Sequence, residues 1–244
     1  MSKNITNSIS PLIDAIKGWS DEGPTINCKL KPSKGTVTWD SEGTEGGRFH
    51  SRKLHVPTSS SGLTIGRGYD MKQKNSGKIV NDLTNAGVDI QNATTISMAA
   101  GKYGHDAKNF ISENDLNDFE VSQCVQKRLF DISYLEEEQE VKRISEKPSV
   151  VSAYGKVDWK FLDLAIKEIL IDLKFRGDYT GHSREKIQKY VVNNDLPGFA
   201  KEITTRRNWP NVPNDRFMRR KHFIIKAVEK TNLHSTDKRH EHLT

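Results

Sequence analysis

Two acidic side chains bracket a stretch rich in glycine, serine and threonine. Glu42 lies in Trp39-Asp40-Ser41-Glu42-Gly43, and Asp70 ends the run Ser61-Gly62-Leu63-Thr64-Ile65-Gly66-Arg67-Gly68-Tyr69-Asp70. A pair of carboxyl groups is what glycosidic bond cleavage needs. One, protonated, gives its proton to the leaving oxygen; the other activates water or stabilises the developing cation. Thr64 lies between the two acids and offers a hydroxyl that can hold a water. Gly66 and Gly68 permit positive φ or close approach of backbone to ligand. A general acid working near neutral pH needs a raised pKa, which burial supplies. Glu45-Gly46 repeats the Glu-Gly pair, and its glycine and arginine surroundings predict an exposed carboxylate. Residue types alone leave a bland alternative open, in which Asp70 caps a helix that begins after it.

The flanking sequence must position these groups. Thr36-Val37-Thr38-Trp39 and Leu63-Thr64-Ile65 alternate in polarity and read as small strands. After Met71 the pattern turns helical. Apolar residues predict one helix around Ile79 to Leu83 ending at Gly87, others around Ala93 to Ala100 and Ala107 to Ile111, and one over Ser122 to Val141. The clearest periodicity runs from Trp159 to Leu173 and stops at Arg176-Gly177-Asp178, with Glu168 and Asp172 expected on its polar edge. Further helices fit Arg184 to Val192, Leu196 to Thr205 and Arg216 to Val228. The fold class is α+β: a small antiparallel β-hairpin lobe followed by a mostly helical lobe. Residues 1–35 read as a leader in which Ile5 to Trp19 forms a short helix, 36–231 as the domain, and 232–244 as a loose polar tail.

Lys and Arg number 38 against 32 Asp and Glu, giving a net charge of +6. Positive charge attracts polyanions, nucleic acid and the anionic bacterial wall alike. The cluster Arg206, Arg207, Arg216, Arg219, Arg220 and Lys221 has the composition of either an anion-binding surface or a solvated face, and Trp209 within it that of a core residue. No nucleic-acid recognition motif accompanies the charge. No run reaches the roughly 20 apolar residues of a membrane helix, and residues 1–17 lack the pattern of a secretory signal. Cys28 and Cys124 are far apart and suggest neither a disulfide framework nor a zinc site, and the tail histidines 234, 240 and 242 are a poor metal site.

The spacing of Glu42-Gly43 ahead of Ser61 to Asp70 resembles that of phage-lysozyme and pesticin-type muramidases, particularly the branch of toxin domains delivered by bacterial secretion systems. Trp39-Asp40, Ser51-Arg52, His55, Pro57 and Asp172-Leu173-Lys174-Phe175-Arg176-Gly177-Asp178-Tyr179 extend the likeness over roughly residues 36 to 228, with the dense matching confined to its start. Leu63 stands where the family has Val, and His55-Val56-Pro57 lacks an aromatic before the proline.

The resemblance implies a lysozyme-like fold and an N-acetylmuramidase that cuts the β-1,4 bond between N-acetylmuramic acid and N-acetylglucosamine with inversion. It implies Glu42 as the general acid, Asp70 as the second carboxylate and Thr64 as the holder of the attacking water. His55, Arg67 and Tyr69 are the expected substrate contacts. No metal or organic cofactor is expected, and no partnership with nucleic acid or membrane. The expected partners are bacterial peptidoglycan and an immunity protein. The expected route is synthesis in the cytoplasm and export without a signal peptide to act in the periplasm of target bacteria. The competing readings are a non-catalytic wall-glycan-binding module, a lytic transglycosylase, a phage endolysin with the same core, and a basic nucleic-acid-binding protein.

Overall fold

The computed structural model describes residues 31–46 and 50–240, so the helix expected over Ile5 to Trp19 lies outside the described residues. A first helix, α1 (Thr36–Ser41), precedes a two-stranded hairpin, β1 (Thr64–Ile65) and β2 (Tyr69–Asp70). Helices follow: α2 (Ser76–Ala86), α3 (Ile90–Ser97), α4 (Gly104–Glu113), α5 (Gln123–Ser145), α6 (Pro148–Tyr154), α7 (Leu164–Arg176), α8 (Gly181–Val192), α9 (Leu196–Thr204) and α10 (Asn214–His240). The architecture is α+β, dominated by helix, with the small antiparallel sheet near its start. Among the described residues no helix is long and apolar enough to cross a membrane.

The hairpin pairs Thr64 with Asp70 and Ile65 with Tyr69. Its turn needs glycine: Gly66 and Gly68 have φ of 64° and 88°, a region that a Cβ disfavours. Isolated bridges fasten the hairpin to its surroundings, His55 with Thr64 and Gly62 with Tyr103.

Three sequence expectations are corrected. Thr36 to Trp39 is helical, not a strand. Four alternating residues do not settle the period, and tertiary contacts decide it: Trp39 and its neighbours Val37 and Thr38 are buried. Trp39 meets Phe130 edge-on at 5.1 Å. The strongest helix begins at Leu164 rather than Trp159, because the Asp163 carboxylate accepts the Ala165 amide at 2.7 Å and caps the first turn there. The last helix does not stop at Val228 but continues through the expected tail to His240. Nothing after Pro213 breaks it, since the sequence from there to Thr244 holds no further proline or glycine.

The core forms three clusters. One packs α2, α3 and α4 beneath the hairpin through Ile65, Ile79, Leu83 and Phe110. Another joins α7 to α10 through Ile166, Leu170, Phe199 and Ile224. Between them sit Trp39, Phe130, Tyr134 and Ile171. Helix α5 contributes to all three: Leu129 to the first, Phe130 and Tyr134 to the middle one, and Val141 to the second.

Gly35 sets the start of α1. Its φ is 72°, and a Cβ there would run into the Tyr134 ring. Gly35→Ala should therefore destabilise the protein by more than about 1 kcal/mol, read as a lower urea midpoint and a weakened near-ultraviolet dichroism from Trp39.

Candidate functional site

Glu42 is the C-cap of α1, where its amide donates to Thr38 O at 2.9 Å. Two anchors hold this helix end. At the start of α1, the Gly35 and Thr36 amides face the Glu168 carboxylate of α7 and oppose the rise that burial imposes on it. At its end, buried Arg67 donates to Trp39 O and Gly43 O, both at 2.6 Å, and its guanidinium lies 4.3 Å from the Trp39 ring centre. Arg67 thus clamps the backbone on both sides of Glu42. Gly43 explains the Glu-Gly pair in physical terms. A Cβ there would meet Ser51 Cβ at 2.8 Å and Arg67 Cγ at 3.1 Å, so the chain has room only for hydrogen.

A cleft of about 370 Å³ opens beside Glu42, lined also by Asp40, Thr44, Ser51, His55, Pro57, Thr64, Gly68, Asp215 and Arg219. Thr64 is buried, and its hydroxyl donates to Gly62 O at 3.1 Å, which leaves the oxygen lone pairs to accept. His55 Nδ1 lies 2.9 Å from Lys53 O. A carbonyl only accepts, so Nδ1 carries the proton and the other ring nitrogen is left for the cleft. Glu45, the rival of Glu42, is half-exposed, with its carboxylate bound to Arg52 at 2.9 Å and Gln126 at 2.6 Å. Burial of Glu45 is slight, and these hydrogen bonds hold its carboxyl below the usual range.

Glu42 is shifted the other way. Burial pushes its carboxyl above the ordinary 4.5, and the nearby Asp172 charge adds to this. Arg216, whose Nη1 lies 2.5 Å from Glu42 Oε1, pulls in the opposite direction without overcoming burial. The reason lies behind it. Arg216 also grips Asp172 at 2.6 Å, and Asp172 takes Arg220 as well, at 2.5 Å. Burial alone would raise Asp172, but Arg220 and Arg216 together hold it below its ordinary 3.8. Arg220 continues to Asp178 at 2.9 Å. Arg216 is therefore shared between two carboxylates, with two of its nitrogens on Asp172 and one on Glu42.

The structure brings Glu42, Thr64 and His55 to one cleft. Asp70 is placed differently. It is the cross-strand partner of Thr64, which puts the two side chains on one face of the hairpin. Its carboxylate accepts the Gly62 amide at 3.1 Å and the Lys72 amide at 2.7 Å, and it lines an adjoining cleft that shares Gly68 with the first. It does not cap the next helix; Asn75 does. Two expected substrate contacts are corrected. Arg67 is engaged inside the protein as described above. Tyr69 is fully buried beneath the hairpin and its hydroxyl donates to Asp82 at 2.8 Å.

Other residues were not legible from local pattern. Asp172, expected on a polar edge, is fully buried, because the middle of α7 from Ile169 to Leu173 is covered all round and α10 supplies the opposing charge. The basic cluster is likewise not one surface. Arg216 and Arg220 are buried, and Arg206 closes a turn onto Trp209 O and Val212 O. Arg219 faces the cleft, paired with Asp215 at 2.8 Å. The available signal was a lone acid within the otherwise apolar run Ile169 to Leu173, matched by two arginines one turn apart. Among the described residues no group of three or more His, Cys, Asp and Glu could hold a metal.

The chain belongs to the family described as "Domain of unknown function (DUF8812)", which matches residues 35–221. That stretch includes every residue of the site, from Glu42 to Arg219. Comparison with curated proteins finds no match.

Asp172→Asn would leave two buried guanidiniums short of a counter-charge and should cost about 3 kcal/mol or more at pH 7. Because the folded-state pKa of Asp172 is depressed, its contribution is complete above 3.8 and is lost as pH falls through the lower, folded value. Urea midpoints measured from pH 7 to pH 2 should therefore converge for parent and variant at the acid end.

Proposed function

We propose that the protein is a peptidoglycan hydrolase, an N-acetylmuramidase with a lysozyme-like arrangement. The observation that carries this reading is Glu42: a carboxyl raised by burial, fixed at a helix end, and facing a cleft. That is the state a general acid requires, since it keeps its proton at a pH where ordinary carboxyls have lost theirs.

In this reading the glycan lies along the cleft with its scissile oxygen against Glu42. Glu42 donates its proton as the bond breaks, and Arg216 then stabilises the carboxylate that forms. Water sits at Thr64, whose committed hydroxyl proton leaves the oxygen to accept from it. Asp70, oriented by the Gly62 and Lys72 amides, is the second carboxylate and acts on the same face of the hairpin as Thr64. Inversion follows if the water attacks opposite the leaving group, a geometry in which the carboxyls stand roughly 6.5–9.5 Å apart. His55 contributes a ring nitrogen to the bound sugar. The substrate class, the antibacterial role in the periplasm of target cells and an immunity partner rest on the likeness of the motif to toxin-type muramidases, and the net positive charge suits an anionic wall.

Glu42→Gln should lower release of reducing ends from purified peptidoglycan by about 100-fold or more, with the fold intact by circular dichroism. Equal rates would sink the assignment. Asp70→Asn should be comparably harmful. Asp40→Asn and Asp215→Asn, the other carboxylates of the cleft, should be mild, and the reverse ranking would move the second role to one of them. For the parent, kcat/KM should fall as pH rises through the Glu42 pKa, placing the alkaline limb above the ordinary 4.5.

A further inference from the structure

Thr64 has a neighbour on each side. Asp70 pairs with it across the hairpin, and His55 pairs with it on the other edge of β1. The His55 amide donates to Thr64 O at 3.0 Å, and the Thr64 amide donates to His55 O at 2.9 Å. Directly opposed residues of an antiparallel pair share one face, with Cβ atoms about 5 Å apart. The three side chains therefore form a row with the threonine hydroxyl in its middle. The ends of the row differ. Asp70 has one oxygen on the Gly62 amide and the other on the Lys72 amide, and it lines the adjoining cleft. His55 and Thr64 line the cleft of Glu42 itself.

The His55 ring is set to accept a proton. Nδ1 donates to Lys53 O at 2.9 Å, which leaves a lone pair on Nε2. Among the described residues no group bonds that nitrogen. Thr64 has committed its own hydroxyl proton to Gly62 O. Two acceptors without a donor thus stand side by side at the cleft, close enough to share one water. Such a water gives one hydrogen to Thr64 Oγ1 and the other to His55 Nε2, so its lone pairs turn outward to an electrophile. The other acids of the cleft are less suited to take its proton. The Arg216 amide and the Arg219 guanidinium, 2.8 Å away, hold the Asp215 carboxyl below the usual range. Asp40 belongs to α1, the helix that carries the acid.

We propose that His55 is the base of the reaction: Nε2 takes the proton of the water held at Thr64, while Asp70 supplies negative charge to the developing cation. The proposal rests on the glycosidase reading. The ring nitrogen faces the bound sugar, and the water at the reacting carbon is what it holds there. The water oxygen bonds to the anomeric carbon as that carbon's bond to the bridging oxygen breaks. The Glu42 proton passes to the bridging oxygen and the water's proton to Nε2. The resulting carboxylate and imidazolium are reset by proton exchange with solvent. Acid and base come from different elements, α1 and the segment beside β1, which suits attack from the face opposite the leaving group.

The test follows release of reducing ends from purified peptidoglycan by the full chain, with folding of each variant checked by circular dichroism. His55→Gln keeps an acceptor for the water but cannot carry its proton, so kcat should fall about 100-fold with KM near that of the parent. His55→Ala should fall as far and recover when imidazole is added, whereas imidazole should leave the parent and Glu42→Gln unaffected. A ring that only touches sugar would instead raise KM and spare kcat. That split, or parent rates in both variants, overturns the proposal. A parent chain that releases no reducing ends overturns the glycosidase reading, and the role of His55 with it.

Discussion

The burial of Asp172 between Arg216 and Arg220 is the constraint on which the site depends. A carboxylate with no exposure cannot persist alone in an apolar helix bundle, and two guanidiniums on one face of α10 cannot be buried without it. The cluster therefore fixes α10 against α7. In doing so it carries Arg216 to Glu42, on an element more than 170 residues earlier in the chain. The electrostatics of Glu42 are a remainder. Arg216 serves Asp172 first, which leaves Glu42 a partner but not enough compensation to offset its desolvation.

A second set of contacts acts on geometry rather than charge. Arg67, Gly43, Gly35 and Glu168 supply no side chain to the cleft wall, yet they determine where α1 starts, where it ends and which way Glu42 faces. The hairpin plays the same part for Thr64 and Asp70, through a turn with two positive-φ glycines and through the Gly62 backbone, which receives the Thr64 hydroxyl and satisfies the Asp70 carboxylate.

Much of this was legible in the sequence, for identifiable reasons. The exposure of Glu45 followed from its local surroundings, because glycines and an arginine mark it. The strand at Thr64 and Ile65 followed from alternating polarity, and most helices from apolar periodicity. What stayed hidden depends on distant partners. The α1 segment reads as a strand until Phe130 and Tyr134 cover Trp39. Arg67 reads as a ligand contact until its acceptors, the carbonyls of Trp39 and Gly43, are placed beside it. Asp172 reads as a polar edge until α10 arrives, and the arginines of α10 read as one basic face until two of them turn inward. In each case the local pattern gave the residue type correctly, and the missing information was which element lay opposite.

Helix α5 runs the length of the fold and gives side chains to each of the three clusters. A beam built into every compartment cannot be released from one and kept by another without breaking its own backbone ladder. Loss of either end exposes apolar side chains along the whole span, so partial melting gains little. The hairpin lobe and the helical lobe are thereby made a single melting unit, and the cleft they enclose keeps its shape until the entire molecule gives way.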